Sequence, residues 1–125
     1  MRRLRIMVVD DSSLTVKKLV KLIEELGHEV VHMAATGQQA VEAYAAVAPD
    51  LVTMDITMPD MDGIEATRRI LEKTPAAVVI IVTSHGQEQM VMDAIEAGAK
   101  GYILKPVKKE KLAETLKSVT AKYLS

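Results

Sequence analysis

Five short apolar runs, at residues 4–9, 30–34, 51–54, 78–82 and 101–104, are spaced along the chain, and between them apolar residues recur every three or four positions. Each run is too short for a helix and rich enough in Val, Ile, Leu and Met to be a strand buried on both faces. Val16, Leu19, Val20, Ile23 and Leu26 mark one face of a helix, with Ser12 or Ser13 available as N-cap and Gly27 as terminator. A second helix over 37–47 is alanine-rich, turns Val41 and Tyr44 inward and ends before Pro49. Ile64, Thr67, Ile70 and Leu71 predict a third, ended by Pro75; Val91, Ala94 and Ile95 predict a fourth, ended near Gly98. Leu112, Leu116, Val119 and Tyr123 predict a fifth, opening just beyond Pro106. Strands that alternate with helices through connections of a few residues must pair in parallel, by right-handed crossovers. The expected product is a three-layer α/β sandwich spanning residues 1–125 as one domain, with no linker, repeat or appended output domain.

Composition narrows what such a sandwich can do. Sixteen Lys and Arg against seventeen Asp and Glu leave a formal net charge of −1, so bulk electrostatics gives no reason to expect nucleic-acid binding. Cys is absent, which excludes disulfides, thiolate catalysis and cysteine-ligated zinc. The basic start is followed by an apolar run too short for a signal sequence, and no segment is apolar enough for membrane insertion, so a cytoplasmic location is expected. Without Trp or Phe, and with three Tyr, the chain has little material for stacking on nucleotides or flavins.

In an open parallel sheet, chemistry gathers beyond the carboxyl ends of the strands, where strand order reverses. There the chain places Asp10 and Asp11 after the first strand, Asp55 after the third, Thr83 and Ser84 after the fourth, and Lys105 after the fifth. Crowded carboxylates repel, by roughly 4 kcal/mol for a pair about 4 Å apart at an effective dielectric near 20. Such a site calls for a cation, and an oxygen-only ligand set selects a hard one such as Mg²⁺. Mg²⁺ and Lys105 would balance the three acids and let the pocket accept a phosphoryl group, with the Thr83 hydroxyl as a further donor. Asp55, alone on its strand end, is the carboxylate best placed to act as nucleophile.

Four stretches then carry a family resemblance: Ile6 to Asp11, Asp50 to Gly63 with its Asp-Ile-Thr-Met-Pro, Val82-Thr83-Ser84, and Ala97 to Pro106 with its Lys105-Pro106. Together they resemble the receiver domains of two-component response regulators over essentially the whole chain, and among these the single-domain chemotaxis regulators. The resemblance implies a flavodoxin-like doubly wound (βα)5 fold with strand order 2-1-3-4-5. It implies that Asp55 accepts a phosphoryl group from a histidine kinase and that the product hydrolyses slowly, the chain being a phosphoacceptor and not a turnover enzyme. It implies that Asp11, Asp55 and the Thr57 backbone carbonyl ligate Mg²⁺, with Asp10 acting through water, and that Thr83 and Lys105 hold the phosphoryl oxygens. Thr83 and Tyr102 would form the switch, Tyr102 turning inward as the Thr83 hydroxyl is drawn toward the phosphoryl group. The implied output surface is the fourth helix, fifth strand and fifth helix, read by a flagellar motor switch protein, with a phosphatase ending the signal and the chain a monomer. Thr57 and His85 would line the route of attacking water, and the Lys105-Pro106 bond would be cis. Val107 departs from the pattern, since such chains often carry Phe there.

Other readings stay open beside this one. A phosphorelay intermediate, or a receiver cut from a longer regulator, would carry the same residues. A metal-dependent aspartyl-phosphate phosphohydrolase would want an acid two residues past the nucleophile, where Thr57 stands. A nucleotide- or flavin-binding module lacks its Gly-rich loop. Asp60, Asp62 and Gly63 suggest a turn and a helix start, with no metal assigned. His28 and His32 read as ordinary, partly exposed side chains, the eight methionines as soft core and loop contacts, and Lys108, Lys109 and Lys111 as a solvated face.

Overall fold

The structure, a computed structural model, describes residues 2–124. Strand β1 (Arg5–Val9) leads to helix α1 (Ser13–Glu25), and β2 (Glu29–Ala34) to α2 (Gly37–Val47). Then follow β3 (Leu51–Met54), α3 (Gly63–Lys73), β4 (Val79–Thr83), α4 (Glu88–Glu96), β5 (Gly101–Leu104) and α5 (Lys109–Val119). A π-helical turn, Thr120–Leu124, ends the described chain. The strands pair in parallel in the order β2-β1-β3-β4-β5, the order that the resemblance implied.

Alternation along the strands sorts their side chains into two cores. Ile6 and Val8 of β1, Leu51 of β3 and Ile80 and Val82 of β4 face α1 and α5, where they meet Leu19, Ile23, Leu112 and Leu116. Met7 and Val9, Val52 and Met54, and Val79 and Ile81 face α2, α3 and α4, meeting Ala40, Ile64, Ile70 and Ala94. Burial on both faces is why these strands read as unbroken apolar runs.

Local chemistry sets the helix ends. Ser12 caps α1 by accepting from the Thr15 amide, and the helix gives way at Gly27, whose φ is 90°. Helix α2 ends at Ala48 in the left-handed region, φ 48°. The Arg5 guanidinium donates to the carbonyls of Ala48 and Val47 at 2.6 and 2.9 Å, satisfying acceptors that a helix terminus leaves open.

Three expectations need correction. The buried stripe of α4 runs through Met90, Ala94 and Ala97, so Ile95 faces outward and is 62% exposed. Tyr123 is also turned out, 46% exposed, with the Lys100 ammonium 5.2 Å from its ring centre. The π turn is the cause: five residues per hydrogen-bonded step place Leu124, not Tyr123, under Val119 and against the core. His28 is buried, because its Nδ1 accepts the Leu4 amide at 3.0 Å across the foot of the sheet. The methionine expectation holds in part: Met7 and Met54 lie in the core, with Met58, Met61 and Met90 packed at its margin, but Met33 on β2 and Met92 on α4 are exposed, and Met1 lies outside the described residues. Val107 is buried in the core beneath α1 and α5.

Candidate functional site

Strand order reverses at β1, which has β2 on one side and β3 on the other. The ladder continues past the strand ends and holds the site from below: the Asp10 amide donates to Ala34 O, the Asp55 amide to Val9 O and the Lys105 amide to Thr83 O. Three acids and a lysine distant in sequence are thereby delivered to one edge. The cleft they form has a volume of about 280 Å³ and is also lined by Ser12, Thr57, Thr83, Ser84 and His85.

Carboxylate oxygens of Asp10, Asp11 and Asp55 lie within 4.8 Å of one another. Asp10 and Asp55 are buried, while Asp11 is exposed at the mouth. Lys105 Nζ sits 2.9 Å from Asp10 Oδ2 and 3.5 Å from Asp55 Oδ1, so one ammonium serves two buried acids. Asp10 Oδ1 accepts the Ser12 amide, and Asp55 Oδ1 accepts the Ile56 amide. Burial, and then the neighbouring Asp10 charge, push the Asp55 carboxyl above its ordinary range; Lys105 and the Ile56 amide pull in the other direction without cancelling the rise. The pocket therefore carries more negative charge than its lysine neutralises.

These residues fit a divalent ion. Asp10 Oδ2 is buried with no hydrogen bond among the described residues, its partner being the Lys105 charge alone. An all-oxygen set of three carboxylates suits a hard cation such as Mg²⁺. Asp60 and Asp62 are not part of this group.

The residues expected to act as a switch meet at His85. Thr83 Oγ1 accepts the His85 amide at 3.2 Å, and the Tyr102 hydroxyl donates to the His85 carbonyl at 2.5 Å. The Tyr102 ring packs at the margin of the core, and desolvation raises its pKa. Thr57 Oγ1 and His85 Nε2 lie 2.9 Å apart, so the two residues expected to line the approach of water close over the pocket together. The Lys105–Pro106 peptide bond is cis.

Two supports of the site escaped the sequence reading. Gly63 opens α3 directly against Asp55, and a Cβ there would lie 1.8 Å from the Asp55 carbonyl oxygen. Asp60 accepts the amides of Gly37 and Gln38 at 3.0 and 2.7 Å, binding the β3–α3 loop to the start of α2. The acidic pattern around residue 60 was the available signal, but its partners are 22 and 23 positions away.

Comparison with known proteins fits this geometry. Residues 6–117 match the family model described as the response regulator receiver domain. This chain belongs to the response regulator receiver domains. The receiver is 42% identical over 116 residues to the chemotaxis protein CheY of Thermotoga maritima, covering 93% of this chain and 97% of that one. It is 45% identical over 112 residues to CheY of Bacillus subtilis, covering 90% and 93%. Among solved structures, it resembles a chain of the CheX-CheY-BeF3-Mg complex from Borrelia burgdorferi with a TM-score of 0.89 and 39% identity, covering 92% of this chain and 87% of that one. The response regulator domain of Thermotoga maritima CheB gives a TM-score of 0.84 at 34% identity, with coverage of 98% and 96%. As a receiver of CheY type, the chain carries the features of a phosphorylation-activated two-component switch. No helix among the described residues is long and apolar enough to cross a membrane.

Proposed function

We propose that the chain is a chemotaxis regulator that takes a phosphoryl group from a histidine kinase onto Asp55 and passes the state to a partner protein. The observation that carries this reading is the buried Asp55 carboxylate beside Asp10 and Asp11, with Lys105 Nζ 3.5 Å away. A carboxylate oxygen of Asp55 attacks the phosphorus of a phosphohistidine, the P–N bond breaks, and its electron pair stays on the imidazole nitrogen. Asp10, Asp11, Asp55 and the Thr57 backbone carbonyl would hold Mg²⁺, which supplies positive charge to the phosphoryl oxygens when bound. Lys105 contributes an ammonium to the same oxygens, and the Thr83 hydroxyl a hydrogen bond.

Transmission follows from the shared partner of Thr83 and Tyr102. The Thr83 hydroxyl that turns to the phosphoryl group releases the His85 amide, and the same residue's carbonyl anchors Tyr102. Tyr102 lines a cleft of about 660 Å³ with Val91, Leu104 and Lys111 on the face of α4, β5 and α5. Leu104 and Ile95 are exposed on these elements, which suits a surface read by a flagellar motor switch protein. Thr57 and His85 over the pocket set how fast water reaches the acyl phosphate, and a phosphatase shortens that lifetime further. We place this exchange in the cytoplasm.

Incubation with Mg²⁺ and acetyl phosphate should add one acid-stable, hydroxylamine-labile phosphate, and Asp55→Asn should abolish it. Undiminished labelling of that variant would overturn the assignment. Beryllofluoride-dependent capture of a motor-switch peptide supports the chemotaxis role; capture of a phosphotransfer domain alone places the chain in a relay instead.

A further inference from the structure

We infer that Asp60 is a positioning residue of the site, tying the loop that carries Thr57 to the first turn of α2. The inference rests on the reading that Thr57 presents its carbonyl to the metal. The loop between β3 and α3 buries Ile56 and packs Met58 and Met61 at the margin of the core, but leaves Thr57, Pro59 and Asp60 exposed, so at those three positions the backbone is held by hydrogen bonds more than by packing. Its ends are held: the Asp55 amide bonds Val9 O, the Gly63 amide bonds Ile56 O, and Asp62 caps α3 through the Glu65 amide. Its tip is held by Asp60, whose two carboxylate oxygens accept one amide each from Gly37 and Gln38.

The contact is built on both sides. Helix α2 already has a local cap, since Thr36 Oγ1 accepts the Gln39 amide at 3.1 Å. The preceding two amides are left for an acceptor from elsewhere, and a carboxylate at a helix N-terminus is held by charge-assisted bonds and the helix dipole. Those amide bonds hold the Asp60 carboxyl below its ordinary range, the Gln38 amide contributing most. Beside them, Met61 lies over Gly37 so closely that a Cβ at residue 37 would sit 2.4 Å from Met61 Cγ. Glycine at that position lets the loop tip close down on the helix. Thr57 lies between the fixed Asp55 and the fixed Asp60, so the path of its backbone is determined at both ends. Cutting the Asp60 tether frees one end, and the Thr57 carbonyl then has to be ordered when the ion binds.

The expected consequence is a loss of metal affinity without loss of the carboxylates. Partners that orient ligands typically change affinity by about 10- to 100-fold, and loss of this tether should raise the Mg²⁺ dissociation constant of Asp60→Ala about tenfold. Thr36→Ala, which uncaps the same helix without touching the loop, separates positioning from helix stability. Isothermal titration with Mg²⁺ on both variants, Asp60→Asn and the parent, together with hydrogen exchange at Gly37 and Gln38, tests the idea. Weakened Mg²⁺ binding and faster exchange in Asp60→Ala, partial recovery in Asp60→Asn, and near-parental binding in Thr36→Ala support it. Asp60→Ala binding within twofold of the parent, or equal weakening in Thr36→Ala, overturns it. A parent chain that binds no Mg²⁺ overturns the metal-site reading itself.

Discussion

Replacing Gly63 by alanine tests whether the start of α3 is what fixes the phosphoacceptor. The added Cβ would sit 1.8 Å from the Asp55 carbonyl oxygen, 2.8 Å from its carbonyl carbon and 2.9 Å from Met54 Cγ. An ordinary carbon–oxygen contact is about 3.3 Å or more, so β3 and α3 must part by roughly 1.5 Å. The methionine can move aside, but the Asp55 backbone cannot do so freely, since its amide is bonded to Val9 O at 2.9 Å. Overpacking of this kind costs about 1–3 kcal/mol, against at most about 1 kcal/mol that alanine returns in helix propensity. The chain should therefore be destabilised on balance. Because the atoms displaced belong to the nucleophile's own residue, a shift near 1 Å should slow phosphoryl transfer by about 10²-fold. Urea unfolding followed by far-ultraviolet circular dichroism reads the first effect, and the time course of labelling by acetyl phosphate with Mg²⁺ reads the second. An unchanged urea midpoint would refute the packing argument; a labelling rate within twofold of the parent would refute the link from Gly63 to Asp55.

Three further outcomes are expected. The folded chain holds the Asp55 proton more tightly than the unfolded chain does, so the stability it contributes is complete in acid and is lost as pH rises through the raised pKa. Asp55→Asn should then raise the urea midpoint at neutral pH without Mg²⁺, with the gap closing below pH about 4; an equal or lower midpoint at pH about 7 would contradict this. Burial chiefly lowers the pKa of His28, so its contribution is full above about pH 6.5 and is lost as pH falls through the depressed value. His28→Asn, which keeps an acceptor for the Leu4 amide, should flatten the fall in urea midpoint between pH about 7 and 5, and an unchanged slope would show that other groups produce it. Thr53 Oγ1 is buried with no hydrogen-bond partner among the described residues, so the isosteric Thr53→Val should be neutral or stabilising by up to about 1 kcal/mol. A measured loss above about 0.5 kcal/mol would mean that the hydroxyl has a partner.

The central strands β1, β3 and β4 are legible because parallel strands covered on both faces are almost wholly apolar, and the runs of β1, β3, β4 and β5 end at a polar residue on the edge where chemistry gathers. Asp10, Asp55, Thr83 and Lys105 are legible in the sequence for that reason. Helix faces were legible where several buried residues agree, as along α1, and misleading in α4, where Ala94 is the one fully buried residue of the helix and a stripe one position off fits the pattern equally well. Tyr123 was misplaced because a π turn cannot be read from a period that assumes 3.6 residues.

Sequence by itself determined the alternation of strands and helices, the hard-ion chemistry of the acids and, through the family resemblance, the strand order. Tertiary structure alone decided that His28 takes the Leu4 amide, that Gly63 presses on Asp55, and that Asp60 holds the first turn of α2. Periodicity records which way a residue faces within its own element. A hydrogen bond between a side chain and a distant backbone amide leaves no such pattern, because every residue type except proline supplies the same amide and only the fold chooses which one arrives.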